Sequence, residues 1–403
     1  MSTQSPLFFT LILLAGCVTY DRQDAAITTI AGEVDALEGG SFAFSEAAAL
    51  TLSRHPEVLA AQARARAAGL ASTVPWTINS EWRGRNEAIG AMLDPIAILG
   101  VGPRGAEIEL ADAQTERAVT ELAVARWRSL AELAEAYALH RTAARLQPPE
   151  LSEVHADAFD RAGLASTIAV AMLRAAEARA QSEGVELQRL TDDQLARMRH
   201  LLGLPPAATV TPLHDDGPVA PKEFRAQDLL SRPDISLAAA RFEVADREFR
   251  RAVAAQYPAL QIGPNVSLRG DPLRAMGMLR LPVAMDGLAA AARERRTAAR
   301  HEIKDALLEA RLEAETAGAE RAAAEATKMT AQAALEAQRA ALLAARVSLD
   351  VEPDAFANYA KTANEYVQAV SQYRSAAAAL AVAEVRHAVA YGWPSRGLEE
   401  DLL

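Results

Sequence analysis

The chain has 403 residues and a formal net charge of −11, with 42 Lys and Arg against 53 Asp and Glu, a balance that argues against a nucleic-acid partner, whose binding needs a clustered basic surface. Half the residues are apolar but only 5% are aromatic, and alanine dominates, which points to helices packed closely through small side chains. No segment past the N-terminus has 18 consecutive apolar residues, so a membrane crossing would have to be made by strands closed into a barrel.

Chain order starts with the single cysteine, Cys17, which has no second thiol for a disulfide or a metal site. It follows an apolar run, residues 7–15, that is too short to span a bilayer and leads into the small residues Ala15 and Gly16. No Lys or Arg precedes the run. The stretch Leu14-Ala15-Gly16-Cys17 resembles the lipobox of bacterial lipoproteins. That resemblance implies a signal peptide over residues 1–16, a lipid on Cys17 and, with Val18 where a retained lipoprotein would carry Asp, an outer-membrane anchor. Residues 17–43 are then a lipidated linker.

The rest of the chain repeats itself. "LSRHPEVLAAQARARAA" from Leu52 and "LSRPDISLAAARFEVAD" from Leu230 each set Leu-Ser-Arg before a proline that opens an alanine-rich helix. Pro75 and Pro258 close these helices, and "LLGLPP" and "AYGWPS" end later ones with Gly203 and Gly392, each followed two residues on by proline. The steady offsets imply a duplication: a first repeat over 44–210, a linker over 211–224, a second repeat over 225–394 and a tail over 395–403.

Each repeat reads as helix, β-hairpin, long helix, turn, long helix. In "PALQIGPNVSLR" Leu260, Ile262, Val266 and Leu268 share one face and Gln261, Asn265, Ser267 and Arg269 the other, and Gly277, Leu279, Leu281 and Val283 continue an apolar face on the returning strand. Trp76, Ile78 and Trp82 give the first hairpin its apolar face, with a turn near Gly84 to Asn86 and a return strand ending near Leu99. Strands of about 10 residues are of bilayer-crossing length; Pro264 and Pro282 lie within the second pair. From Gly287 to Val347 there is no proline, and the spacing predicts one helix of roughly 90 Å. Its partner runs from about Asp354 to Tyr391. In the first repeat a helix from about Pro103 meets a break at Pro148-Pro149, then "RAGLAS", then a return helix over Ser166 to Leu202.

No catalytic constellation emerges. The seven histidines are scattered, His301 with Glu302 and His387 with Glu384 read as solvated helix faces rather than metal ligands, and Met276 with Met278 reads as strand packing. Neither a metal nor a cofactor is expected.

Taken together, "FSEAAALTLSRHPEVLAAQARARAA", its second copy, the passages "ILGVGPRGAEIELADAQ" and "LRLPVAMDGLAAAARERR", and the turn "RAGLAST" resemble the TolC-like outer-membrane efflux proteins, with a lean toward the heavy-metal or cation branch. The resemblance implies a mainly α fold with long antiparallel helical hairpins forming a trimeric α-barrel, and two short β-hairpins per protomer contributing to a shared transmembrane β-barrel. It implies a homotrimer that conducts passively and works with a periplasmic adaptor and an inner-membrane pump. Adaptor contact is expected at the turns farthest from the membrane, through Arg161, Gly163 and Leu164 and through Ser348 and Leu349. Three copies of the second turn would bring Asp350, Glu352 and Asp354 into an acidic constriction. The alternative is a lipid-anchored helical scaffold that conducts nothing.

Overall fold

The computed structural model describes residues 27–70, 76–83, 86–93, 102–149, 151, 156–161, 166–213, 224–256, 259–267, 274–280, 286–349 and 355–394. After a short helix α1 (Ile27–Asp35) and strand β1 (Gly40–Phe42), the first repeat runs through α2 (Phe44–Arg54), α3 (Pro56–Leu70), β2 (Trp76–Arg83), β3 (Asn86–Leu93), α4 (Gly102–Arg145), α5 (Ala156–Arg161) and α6 (Thr167–Leu201). Strand β4 (Val210–Pro212) leads to the second repeat: a 3-10 turn (Ala226–Ser231), α7 (Pro233–Ala254), β5 (Ala259–Ser267), β6 (Arg274–Arg280), α8 (Asp286–Leu349) and α9 (Phe356–Ala390). The 64 residues of α8 make a rod of about 96 Å at 1.5 Å per residue. Its first-repeat counterpart α4 stops after 44 residues, because Pro148 and Pro149 lie just past its end and cannot continue the backbone ladder.

Local chemistry sets the helix ends. Ser166 caps α6, its Oγ accepting from the Ala169 N–H at 3.3 Å. At the other end of α6, Gly203 has φ +65°, the Leu204 N–H reaches the Arg199 carbonyl at 2.8 Å and the Gly203 N–H reaches His200 at 3.0 Å. α9 ends the same way: Gly392 has φ +86°, Trp393 bonds back to Ala388 at 3.2 Å and Gly392 to Val389 at 2.8 Å. Both are Schellman stops, which need a residue free to take positive φ.

These stops stack helices end to end. The end of α6 meets the junction of α2 and α3, where Gly203 faces the Arg54 backbone just before α3 begins, and the end of α9 meets the start of α7, where Gly392 faces Arg232. Two composite rods result, α6 with α3 and α9 with α7. The rods and the two long helices form a layer in the order α6/α3, α4, α9/α7, α8, with α6 and α9 touching directly below the end of α4. Beneath the sheet the layer is pinned by ion pairs, among them Arg247 to Glu109 at 2.7 Å and Arg296 to Asp246 at 3.2 Å.

At the waist, β1 and β4 pair in parallel with Gly40 opposite Val210. The Tyr137 hydroxyl of α4 donates to the carbonyls of Phe42 and Leu213, so the N-terminal segment and the inter-repeat linker are held against the layer. The main core lies here, around Phe44, Leu133, Tyr137, Met198, Leu202 and Trp393.

The two hairpins join into one four-stranded antiparallel sheet, β2-β3-β5-β6. Trp76 is opposite Leu93 and Ile78 opposite Ala91, Ile89 is opposite Val266 and Leu93 opposite Ile262, and Leu260 is opposite Leu279. Opposed positions in an antiparallel pair share a face. These apolar pairs therefore fall on one face of the joined sheet, while the positions of Met92, Met276 and Met278 fall on the other. The β3–β5 ladder skips from Gly90–Asn265 to Leu93–Ile262, and the skipped stretch holds Pro264, which has no N–H to donate.

Candidate functional site

Three features carry functional weight: the sheet, the far tips of the helices, and the two open edges of the helical layer. In the sheet, the described strands hold 8, 8, 9 and 7 residues, somewhat shorter than the sequence reading of about 10. Strands of this length are close to the 9–11 tilted residues that a bilayer core needs. The return of the first hairpin beyond Leu93 lies outside the described residues, as does Pro282. Among the described residues, no helix is long and apolar enough to cross a membrane.

At the tips, a second core joins the two repeats: Ala169, Val170 and Leu173 of α6 pack with Leu342 and Ala345 of α8 and with Phe356, Tyr359 and Ala360 of α9. Arg174 clasps α5 to α6 through Asp157 at 2.9 Å and Asp160 at 2.8 Å. Those hydrogen bonds, first to Asp157 and then to Asp160, raise the Arg174 pKa. Arg161 is exposed, its Nε donating to the Asp157 carbonyl at 3.1 Å. Ser348 Oγ donates to the Ala344 carbonyl at 3.1 Å, and half-buried Leu349 packs on the tip core. The structure thus brings Arg161, Ser348 and Leu349 to the tip end of the layer. Gly163, Leu164, Asp350, Glu352 and Asp354 lie outside the described residues, as does Cys17.

The edges were not read from the sequence. On α8 the buried alanines 310, 317, 331 and 345 follow one heptad line, with Ala314 and Leu342 on the companion line; this seam packs on α7 and α9. A second seam lies on the opposite face of the helix. Leu308, Met329 and Leu343, each more than half exposed, are spaced at whole multiples of seven, and Leu312 and Val347 follow that line by four residues. Exposed alanines 319, 326, 333 and 340 fill the same line as Leu312 and Val347. On the opposite edge, α6 exposes Ile168, Ala171, Ala175, Ala178, Ser182 and Val185 at alternating three- and four-residue steps. Heptad lines of small and apolar residues are the surface that helix pairing uses, and among the described residues nothing covers these two.

At the sequence level the chain matches no family model and no curated protein. Solved structures do match. The chain superposes on the outer-membrane channel OprN with a TM-score of 0.68 at 18% identity, over 87% of this chain and 90% of that one. The open state of the Neisseria gonorrhoeae MtrE outer membrane channel gives 0.67 at 17%, over 87% and 88%. The outer membrane protein VceC from Vibrio cholerae gives 0.65 at 17%, over 87% and 96%. The chain therefore has the fold of the TolC-like outer-membrane channels.

Proposed function

We propose that this chain is the outer-membrane channel of a tripartite efflux system, a homotrimer that passively conducts substrate from the periplasm to the exterior. The observation that carries the reading is the pair of heptad seams left uncovered by the described residues on opposite edges of one helical layer. A seam on α8 facing a seam on α6 of the next copy is a heterologous contact, which generates a ring when the rotation between copies closes. Ring closure would set the four-stranded sheets side by side with their apolar faces together. A closed barrel leaves no strand edge in lipid, and an outward apolar face matches the bilayer. Three copies would give twelve strands and a helical tunnel, the arrangement that the family resemblance implies.

The remaining assignments belong to the same reading. Cys17 carries the lipid that holds the protein in the outer membrane. Arg161, Gly163, Leu164, Ser348 and Leu349 meet the periplasmic adaptor, which joins the channel to an inner-membrane pump. Asp350, Glu352 and Asp354 form an acidic constriction that draws cations.

Planar-bilayer recording tests the whole. Purified wild-type protein is expected to insert and conduct in discrete steps. The variant Leu308→Glu/Leu312→Glu is expected to keep its helical circular dichroism, lose the trimer in native mass spectrometry and give no current. Wild-type trimers that insert but never conduct, even with their tips opened by substitution, would overturn the channel in favour of the scaffold.

A further inference from the structure

Between the lower end of α4 and the hairpin of α8 and α9 runs a groove enclosing about 1100 Å³. Its floor is the α9 face carrying Tyr366, Val370, Tyr373 and Leu380, and Trp393 lines it. The groove is cationic in a chain whose net charge is −11. Arg141 and Arg145 come from α4, Arg321, Lys328 and Arg339 from α8. The α8 residues are out of pattern. The heptad line that packs on α9 reads Ala314, Arg321, Lys328, Leu335, Leu342, so two cations stand where the seam otherwise carries apolar side chains.

Several cations elsewhere in the layer are paired, as in Arg247 with Glu109 and Arg250 with Asp246. Arg374 in the groove floor also has its partners, Glu183 at 3.2 Å and the Gln147 carbonyl at 2.6 Å. Arg141, Arg145, Arg321, Lys328 and Arg339 make no ion pair among the described residues, and Glu384 is the one carboxylate lining the groove there. At the groove's end the pKa of His387 is lowered, first by burial and then by the charge of Arg321. Five like charges converging on one partly enclosed space repel one another, and an anionic occupant relieves that repulsion.

The described chain stops at Pro394, immediately after Trp393, and the sequence that follows is Ser-Arg-Gly-Leu-Glu-Glu-Asp-Leu-Leu. Glu399, Glu400 and Asp401 come five to seven residues beyond Pro394, within reach of roughly 17–24 Å in extended chain. Arg321 and Lys328 are seven residues apart on α8, or about 10 Å along its axis. Leu398, Leu402 and Leu403 match the tyrosine and leucine floor. We propose that residues 395–403 occupy this groove, with Glu399, Glu400 and Asp401 neutralising Arg141, Arg145, Arg321 and Lys328. The tail then acts as a strap that spans α4, α9 and α8 and fixes their spacing just below the waist. This assignment goes beyond the channel reading and does not depend on conduction.

Zero-length carbodiimide coupling of the purified full-length protein tests the strap, because the chain has only four lysines: Lys222, Lys304, Lys328 and Lys361. Peptide mapping is expected to find Lys328 joined to Glu399, Glu400 or Asp401 of the same chain, as judged with mixed isotope-labelled protein. Lys361 with Glu365, 3.8 Å apart, is the internal control for the reaction. Where that control couples, a Lys328 joined to Asp215, Asp216 or Glu223 of the linker, or to a second copy, or to no tail acid, overturns the proposal. A second readout is release of the tail by trypsin after Arg396. Release is expected to be several-fold faster in E399Q/E400Q/D401N than in wild type and faster for wild type at high salt. Equal rates in the two proteins would also remove the tail from the groove.

Discussion

At the joint of the first repeat, His55 precedes Pro56 with φ −63° and ψ 125° and meets the Ser129 hydroxyl through Nδ1 at 3.2 Å. At the joint of the second, Arg232 precedes Pro233 with φ −62° and ψ 136°, nearly the same backbone. Its guanidinium reaches Asp234 at 2.6 Å, Glu313 of α8 at 2.7 Å and the Ala390 carbonyl at 2.9 Å, and lies over the Trp127 ring of α4 at 5.2 Å. The extended conformation is what a residue before proline must adopt, and both joints face a positive-φ glycine. Duplication has kept the backbone device and exchanged the polar chemistry. One neutral pair links two helices in the first repeat, whereas one buried cation ties four in the second.

The largest expected effect follows from that exchange. Arg232 is 2% exposed; burial disfavours its charge, but the hydrogen bonds to Asp234 and Glu313 outweigh it and raise its pKa. Arg232→Met should cost about 3 kcal/mol, at the low end for breaking a buried ion pair because both carboxylates reach water. Ser129→Ala should cost about 1 kcal/mol, the loss of one neutral hydrogen bond. Thermal unfolding of both variants at one protein concentration is the check. Equal shifts would mean that the joints owe their strength to packing alone.

The two glycines sharpen the same comparison. A Cβ on Gly203 would sit 3.0 Å from the Arg54 carbonyl oxygen, a backbone atom that cannot swing away, while one on Gly392 would meet Arg232 Cγ at 3.4 Å, an ordinary contact. Alanine at either site carries the left-handed penalty of about 1–2 kcal/mol. Gly203→Ala should therefore exceed Gly392→Ala by up to about 1 kcal/mol, an overpacking cost. The reverse order in denaturant midpoints would show that the first joint yields more easily than its backbone contact indicates.

Much of this architecture is legible in the sequence because local chemistry fixes it. Pro56 and Pro233 open helices where expected, Gly203 and Gly392 stop them, and α8 at Asp286–Leu349 contains the expected Gly287–Val347. What was not legible depends on partners distant in the chain. Three-residue strands such as β1 and β4 are too short for alternation to show. The pairing of β3 with β5 joins hairpins about 170 residues apart, which periodicity within either hairpin cannot reveal. The second seam of α8 also escaped: in an alanine-rich helix nearly every line is apolar, and only the packing of α7 and α9 shows which line is left uncovered. Arg321 and Lys328 look like ordinary surface cations until the buried seam is known.

The smallest expected effect is a pH dependence confined to the first joint. Burial, the main influence, lowers the His55 pKa; the charge of His200 lowers it further, while Glu57 and Glu132 pull it back up. His200 also meets the ring edge-on at 5.8 Å. A histidine whose folded pKa lies below its unfolded value of 6.5 favours the folded state only while neutral. Its contribution is complete above pH 6.5 and is lost as the pH falls from there through the folded pKa. Arg232, always charged, supplies no such slope at the second joint. Between pH 7.5 and pH 5.5 the thermal midpoint of His55→Gln should thus fall less than that of wild type, and Arg232→Met should fall as wild type does. His387, lowered by burial and by Arg321, contributes a slope of the same sign to all three proteins and cancels in the differences. A wild-type slope unchanged by His55→Gln would mean that His55 titrates alike in the folded and unfolded chain.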